Sequence, residues 1–321
     1  MFKNSALAAI DLGSNSIRLI CARAGYHDSP SLDIFLRDLK VARLGEGFEP
    51  ERYLIPSAMD RAISALKEMI SGIRRHQIDQ VHVVTTGVVR EAKNQKLFLD
   101  RINETLGIQV RVLQGEEEAE LTLLGVRSTL SGLSIPLLIC DIGGGSTEFA
   151  ILFPDDSKEF FSLPIGAIRL IEKFQVAAPM CRKKDQAIRA YIMGSLKKTF
   201  HSFCGHISTL VATAGTPTTL ASIDQALRIY DPLKVHGYPF QSFQIKKMYE
   251  QLKGMNLHDR RSIPGLESGR EDIIVTGTAI LLCVMETFNQ ESMIVSEGGL
   301  LEGALAQTYQ NITGHLPQIY L

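Results

Sequence analysis

Asp11-Leu12-Gly13-Ser14-Asn15-Ser16 and Asp141-Ile142-Gly143-Gly144-Gly145-Ser146-Thr147-Glu148 are two versions of one acidic, glycine-rich turn, 130 positions apart (141 − 11). Each follows an apolar run, at residues 6–10 and 136–140, and precedes another, at 17–21 and 149–153. The pattern predicts strand, tight turn, strand, with a carboxylate at the end of the first strand. Glycine lets backbone N–H groups approach an anion closely, and Ser, Thr and Asn add short donors. A carboxylate beside such a loop suits a magnesium–phosphate site. Two copies predict a duplicated phosphate-binding unit with a cleft between the copies.

A second pair of motifs keeps almost the same spacing. Val83-Val84-Thr85-Thr86-Gly87 and Val211-Ala212-Thr213-Ala214-Gly215 lie 128 positions apart (211 − 83). The order acidic turn, then Val-x-Thr-x-Gly turn, therefore occurs twice, as expected of an internal repeat.

The 321 residues suggest about two domains. The break is expected within 124–135, giving domains 1–126 and 127–321, with the last helix packing back on the first domain. A net charge of −1 provides no global field steering the chain to nucleic acid or membrane, so neither is expected as a partner. No stretch reaches the ~18 apolar residues of a membrane span. The N-terminus, with one Lys and an apolar run leading straight into Asp11, reads as a first strand rather than a signal peptide. Cys21, Cys140, Cys181, Cys204 and Cys283 contain no Cys-x-x-Cys pair, and their odd number fits reduced thiols in the cytoplasm.

Strands are expected at 7–10, 17–23, 32–39 and 41–44 as a meander, then at 81–85 and 110–113. Helices are expected at 57–76, with Ser57 as N-cap, at 94–106 closed by Gly107, and from 116 to 126. The second half repeats the plan, with strands near 137–140, 148–153, 159–163, 208–212 and 293–295. Its helices fall near 167–174, 183–203, 215–226, 241–253, 273–289 and 300–309. Alternating strands and helices imply an α/β fold with sheets covered by helices.

Taken together, Asp11 to Arg18, Arg43-Leu44-Gly45-Glu46-Gly47, Gln114-Gly115-Glu116-Glu117-Glu118-Ala119 and Asp141 to Glu148 resemble the signatures of the exopolyphosphatase/guanosine pentaphosphate phosphatase (Ppx/GppA) family. So do Leu163-Pro164-Ile165-Gly166-Ala167-Ile168-Arg169, Ala212 to Pro217, Pro264-Gly265-Leu266 and Arg270-Glu271-Asp272-Ile273-Ile274. The resemblance runs from about residue 6 to 305. It implies two ribonuclease-H-like domains of the actin/sugar-kinase/Hsp70 type. It also implies Mg2+-dependent removal of terminal phosphate from inorganic polyphosphate or guanosine pentaphosphate, the latter giving guanosine tetraphosphate, and a homodimer. Long family members carry an extra C-terminal helical domain; this sequence resembles the short two-domain form. His258-Asp259 lacks the spaced partners of a metal site and reads as a surface pair.

The resemblance places the water-activating Glu just before Ala119, at Glu118. Glu116 and Glu117 read as acids favoured at a helix start. Asp141 and Glu148 are the candidate Mg2+ ligands, with Asp11 the matching carboxylate of the other half, holding metal through water. The loop residues Gly13, Ser14, Asn15, Ser16, Gly143, Gly144, Gly145, Ser146 and Thr147 would cradle phosphates. Arg18, Arg43, Arg90 and Arg270 are candidate clamps, since a guanidinium pairs with phosphate in bidentate fashion. Thr213, Gly215 and Thr216 form the second-half turn and could touch terminal phosphates or a guanosine. Arg182-Lys183-Lys184, Lys197-Lys198, Lys246-Lys247 and Arg260-Arg261 read either as solvated helix faces or as a track for long polyphosphate. Two rival functions remain at this level: an ATP-dependent phosphotransferase or ATPase on the same fold, and a non-catalytic sensor of polyphosphate or an alarmone.

Overall fold

The computed structural model describes residues 6–25, 30–78, 80–203 and 205–321; Lys3 and Cys204 lie outside them. Among the described residues the chain runs β1 Ala6–Leu12, β2 Ser16–Ala24, β3 Ser31–Val41, α1 Pro56–Arg75, β4 Gln80–Thr85, α2 Gly87–Glu91, α3 Gln95–Leu106, β5 Arg111–Val112 and α4 Gly115–Thr129. It continues through β6 Leu137–Ile142, β7 Thr147–Leu152, β8 Lys158–Leu163, α5 Ala167–Phe174, α6 Arg182–Thr199, β9 Thr209–Thr213, α7 Gly215–Asp224 and α8 Pro232–Val235. The remaining elements are β10 Pro239–Gln241, α9 Ser242–Gly254, α10 Leu257–Arg261, α11 Ile274–Thr287, β11 Ser292–Ser296, α12 Leu300–Thr313 and β12 Gln318–Tyr320.

These elements form two compact units: Met1–Ser131 with Gly298–Leu321, and Gly132–Glu297. The expected boundary at 126 would cut α4, which continues to Thr129, and residues 298–321 belong to the first unit. They stay there because α12 packs on α4 at near-backbone contact. A Cβ on Gly125 would stand on the Gly299 carbonyl oxygen, and one on Gly303 on the Leu121 carbonyl oxygen.

The first unit holds a sheet of order β12-β3-β2-β1-β4-β5. β1, β2 and β3 are antiparallel neighbours, while β4 lies parallel to β1 and β5 parallel to β4. Successive β1 residues serve opposite faces. Ala8, Ile10 and Leu12 join Met59, Leu66 and Ile70 of α1 and Phe98 of α3, whereas Leu7 and Ala9 join Leu301 and Leu305 of α12. A strand covered on both faces reads as a continuous apolar run, as β1 does.

The second unit repeats the plan with sheet order β10-β11-β9-β6-β7-β8. β6, β7 and β8 are the antiparallel meander, and β9 and β11 extend it in parallel. Both units thus share the ribonuclease-H-like order of a three-stranded meander continued by two parallel strands. α11 is buried almost all round, from Ile274 to Met285, so its sequence is apolar without a polar stripe. Phe149, Phe200 and Phe288 stack edge to face in the core, with ring centroids 5.2 and 4.9 Å apart along that series.

Two local expectations are corrected. Ser57 is not the N-cap of α1: Ile55 takes that place with Pro56 at the first helical position, where a missing N–H costs nothing. Residues 41–44 are not a fourth strand, because β3 runs on to Val41. Beyond it the N–H groups of Ala42, Arg43 and Gly45 turn to carbonyls of the first acidic loop.

Candidate active site

The two acidic turns are the same turn. Gly13 N–H donates to the Ser16 carbonyl at 3.1 Å, and Gly143 N–H donates to the Ser146 carbonyl at 3.0 Å. A Cβ on Gly13 or Gly143 would lie 2.9 or 3.0 Å from that same oxygen, so each position needs glycine.

Each loop is also braced from its carbonyl side. In the first unit Asn15 O accepts from Ala42 N (3.1 Å) and Arg43 N (2.8 Å), and Ser14 O accepts from Gly45 N (2.8 Å). In the second, Gly143 O accepts from Ala167 N (2.9 Å), and Gly144 O from Ile168 N (2.9 Å) and Arg169 N (3.0 Å). Gly145 O accepts from the Arg169 side chain, Nε, at 2.8 Å. In a planar trans peptide the C=O and the following N–H point in opposite directions. Carbonyls turned towards the brace therefore turn the N–H groups of Asn15, Ser16, Gly144, Gly145 and Ser146 away from it, as an anion cradle requires. Arg43, whose side chain is a candidate clamp, also braces the loop through its backbone N–H, in the left-handed region at φ 48°.

The carboxylates show where the repeats part. Asp11 stands opposite Arg18 across the β1–β2 ladder, and Arg18 Nη2 lies 3.0 Å from Asp11 Oδ2. Asp11 Oδ1 is buried and has no hydrogen-bond partner among the described residues. Asp141 stands opposite Glu148 across the β6–β7 ladder, and both are buried. Directly opposed residues of an antiparallel pair share one face, with Cβ atoms ~5 Å apart. Ser162 Oγ donates to Glu148 Oε1 at 2.7 Å. Two buried carboxylates on one face fit Mg2+, which takes one or two carboxylates and completes its shell with phosphate and water. Among the described residues no group of three or more His, Cys, Asp or Glu could hold a metal by itself.

The three acids at the start of α4 have separate fates. Glu116 is exposed. Glu117 closes a capping box, accepting from Gln114 N–H at 2.7 Å, and pairs with Arg111 at 2.5 Å. Those contacts, the Gln114 N–H first, hold its carboxyl below the usual range. Glu118 is buried, with Oε2 3.4 Å from Arg90 Nη1. Arg90, carried by the short helix α2, is fixed by donating Nη1 to the Leu113 carbonyl at 2.8 Å. Leu12, Thr85 and Leu113 are tied side by side at the ends of the parallel strands: Thr85 Oγ1 donates to Leu12 O (2.8 Å) and Leu113 N to Thr85 O (2.9 Å). The acidic turn and the Arg90–Glu118 pair thus belong to one edge of the first unit, where open α/β sheets bind ligands.

In the second unit Thr213 lies beside Asp141 on the neighbouring strand. Its hydroxyl donates to Ser296 O at 3.0 Å, and that of Thr147 donates to Ile165 O at 2.5 Å. Gly215 opens α7, and a Cβ there would strike the Arg270 guanidinium; Arg270 Nε pairs with Glu267 at 2.5 Å. The turn is thus brought together with the expected clamp. Thr216 packs its hydroxyl against Gly277. Arg260 is no part of a surface track: it is buried and donates to the Leu252 and Glu271 carbonyls. His258 and Asp259 are exposed.

Residues 22–311 match the Ppx/GppA phosphatase family. The chain belongs to that family. It is 28% identical to exopolyphosphatase 2 of Mycobacterium tuberculosis over 92% of this chain and 96% of that protein. It is 29% identical to a bifunctional 3-dehydroquinate synthase/phosphatase of Fusobacterium nucleatum over 97% of this chain, and spans about half of that protein's length (48%). The crystal structure of the Aquifex aeolicus Ppx/GppA family member superposes with a TM-score of 0.81 at 30% identity, covering 96% of this chain and 99% of that one.

For a Ppx/GppA protein, the residues that sequence reading left out of the site are the braces: Ala42, Gly45, Ala167, Ile168 and Arg169. Backbone donors carry no residue-type signal, so four of the five could not be read. Arg169 could have been found, since it closes the Leu163 to Arg169 motif and is buried beside Gly145. No helix among the described residues is long and apolar enough to cross a membrane.

Proposed function

We propose that the protein is a Mg2+-dependent phosphoanhydride hydrolase that releases terminal orthophosphate from inorganic polyphosphate, guanosine pentaphosphate or both. The observation that carries this reading is Glu118, buried beside Arg90 while its two neighbours are exposed or committed to a cap. A helix start that only favours acids would not set one of them inside against a guanidinium.

Glu118 orients a water and accepts its proton as the water oxygen attacks the terminal phosphorus. The bridging P–O bond breaks, its electron pair stays with the shortened chain, and orthophosphate leaves. In the first unit Arg90, Arg18 and the loop N–H groups around Gly13–Ser16 stabilise negative charge on phosphoryl oxygens, and in the second the loop N–H groups around Gly143–Thr147 are the phosphate donors. Asp141 and Glu148 would hold Mg2+, which when bound neutralises phosphate charge. The unpartnered Oδ1 of Asp11 supports a supporting role through water. Arg43, Thr213, Gly215, Thr216 and Arg270 support binding of the remaining phosphates or of a guanosine.

The test is orthophosphate release, with Mg2+, from long polyphosphate, from guanosine pentaphosphate and from ATP. Release from either of the first two supports the reading, and the faster substrate names the activity. Tight binding without release would move the assignment to a sensor, and transfer of phosphate from ATP to an acceptor would move it to a phosphotransferase.

A further inference from the structure

We infer that Arg169 is a positioning residue for the second phosphate loop, setting the affinity of that loop for phosphate without touching the substrate. The inference rests on the reading of residues 143–147 as a phosphate cradle.

Four donors hold the carbonyl side of this loop. Three are backbone N–H groups at the start of α5, from Ala167, Ile168 and Arg169, spread over Gly143 O and Gly144 O. The fourth is Arg169 Nε on Gly145 O, at 2.8 Å. Peptide planarity makes that last bond decisive for the Gly145–Ser146 unit: fixing Gly145 O fixes the opposite direction of Ser146 N–H. Gly145, with no side chain to restrict its ψ, leaves that peptide free to turn when the bond is absent. In the first unit the matching carbonyl, Asn15 O, is held twice by backbone donors and needs no side chain.

The surroundings are built to keep Arg169 in place. α5 starts against the loop so closely that a Cβ on Gly166 would overlap the Gly144 carbonyl. Thr276 Oγ1 of α11 donates to Ala167 O at 2.9 Å, and Thr147 Oγ1 donates to Ile165 O at 2.5 Å, tying both flanks of the brace. Arg169 itself is only 9% exposed. Burying a guanidinium is costly unless its donors are used, and Arg169 directs one of them at the loop.

The experiment is calorimetric binding of tripolyphosphate to the full chain, alongside steady-state kinetics, for wild type, Arg169→Gln and Arg169→Lys. Loss of one charge-assisted hydrogen bond that orients a binding peptide should raise the tripolyphosphate Kd and the KM about ten- to hundred-fold. At saturation kcat should stay within about threefold in the folded variants. Arg169→Lys should recover part of the affinity, and added guanidinium should restore Arg169→Gln. A folded Arg169→Gln that binds tripolyphosphate like wild type would overturn the inference. So would a joint loss of affinity and kcat that neither Lys nor guanidinium repairs. If Arg169→Gln does not fold, the KM-against-kcat split of Arg169→Lys decides. Wild-type protein that binds tripolyphosphate but releases no orthophosphate would defeat the hydrolase reading and leave this binding test intact.

Discussion

Glu148 stands across the β6–β7 ladder from Asp141, the position that Arg18 holds opposite Asp11 in the first repeat, at the same offset of 130 (148 − 18). One copy of the hairpin neutralises its buried aspartate with a guanidinium. The other sets a second carboxylate against it, and two buried carboxylates on one face repel unless a cation joins them. The same turn hydrogen bond thus carries opposite charge demand in the two units through one ladder position.

Metal binding should follow that position. Asp141→Asn and Glu148→Gln should each weaken Mn2+ binding, read by electron paramagnetic resonance, by at least about tenfold. Glu148→Arg copies the first hairpin, so it should fold and bind no Mn2+ at this site. Unchanged Mn2+ affinity in Glu148→Arg would contradict the assignment. Chelation with EDTA should abolish orthophosphate release from the wild-type protein and leave its secondary structure, followed by circular dichroism, unchanged.

The capping acid and the buried acid of α4 should separate cleanly. Glu117→Ala removes half of a capping box and should cost about 0.5–2 kcal/mol of stability by chemical denaturation, with kcat close to wild type. A large loss of kcat in folded Glu117→Ala would show that the two neighbours are not functionally distinct.

The α4–α12 crossing should tolerate no added methyl group. Gly303→Ala places a Cβ on the Leu121 carbonyl, and backbone cannot move aside as a side-chain tip can. Destabilisation of about 1–3 kcal/mol or more is expected, visible as a lower Tm. Gly194 in α6, with open space around its Cβ, is the control: Gly194→Ala should be neutral or slightly stabilising.

A buried network in the second unit makes a pH prediction. Burial alone would raise the Asp185 carboxyl, but hydrogen bonds from Lys253 and Tyr249 and the nearby positive charges outweigh it and hold the group below its ordinary value. A carboxyl depressed in the folded state stabilises above its unfolded pKa, ~3.9, and loses that contribution as pH falls through the folded value. Asp185→Asn should therefore cost about 1–3 kcal/mol at neutral pH, with the difference from wild type shrinking below about pH 4. A difference that persists undiminished at low pH would refute the electrostatic account.

The repeated offset was legible because turns built on Asp and Gly constrain residue type: Gly13 and Gly143 have no room for a side chain, and Gly107 ends α3 in the left-handed region. The central strands were legible as apolar runs for the same reason that they are buried on both faces. α2 was not, because its few residues lack a periodic pattern, yet it delivers Arg90. The return of α12 to the first unit was expected, but the contact that holds it there was not legible. It depends on Gly125, Gly299 and Gly303 meeting across the fold, and nothing local in either helix records that. At the site, residue type and turn pattern marked Asp141 and Glu148 as candidates, and the family resemblance marked Glu118. The backbone donors of Ala42, Gly45, Ala167 and Ile168 left no such mark.

The central claim is that Glu118 activates the water. Its most direct test is the rate of orthophosphate release by Glu118→Gln at saturating substrate and Mg2+. The account predicts a fall in kcat of about 10²–10⁴ with KM near wild type and an unchanged Tm. A folded Glu118→Gln that retains kcat within a few-fold of wild type would contradict it.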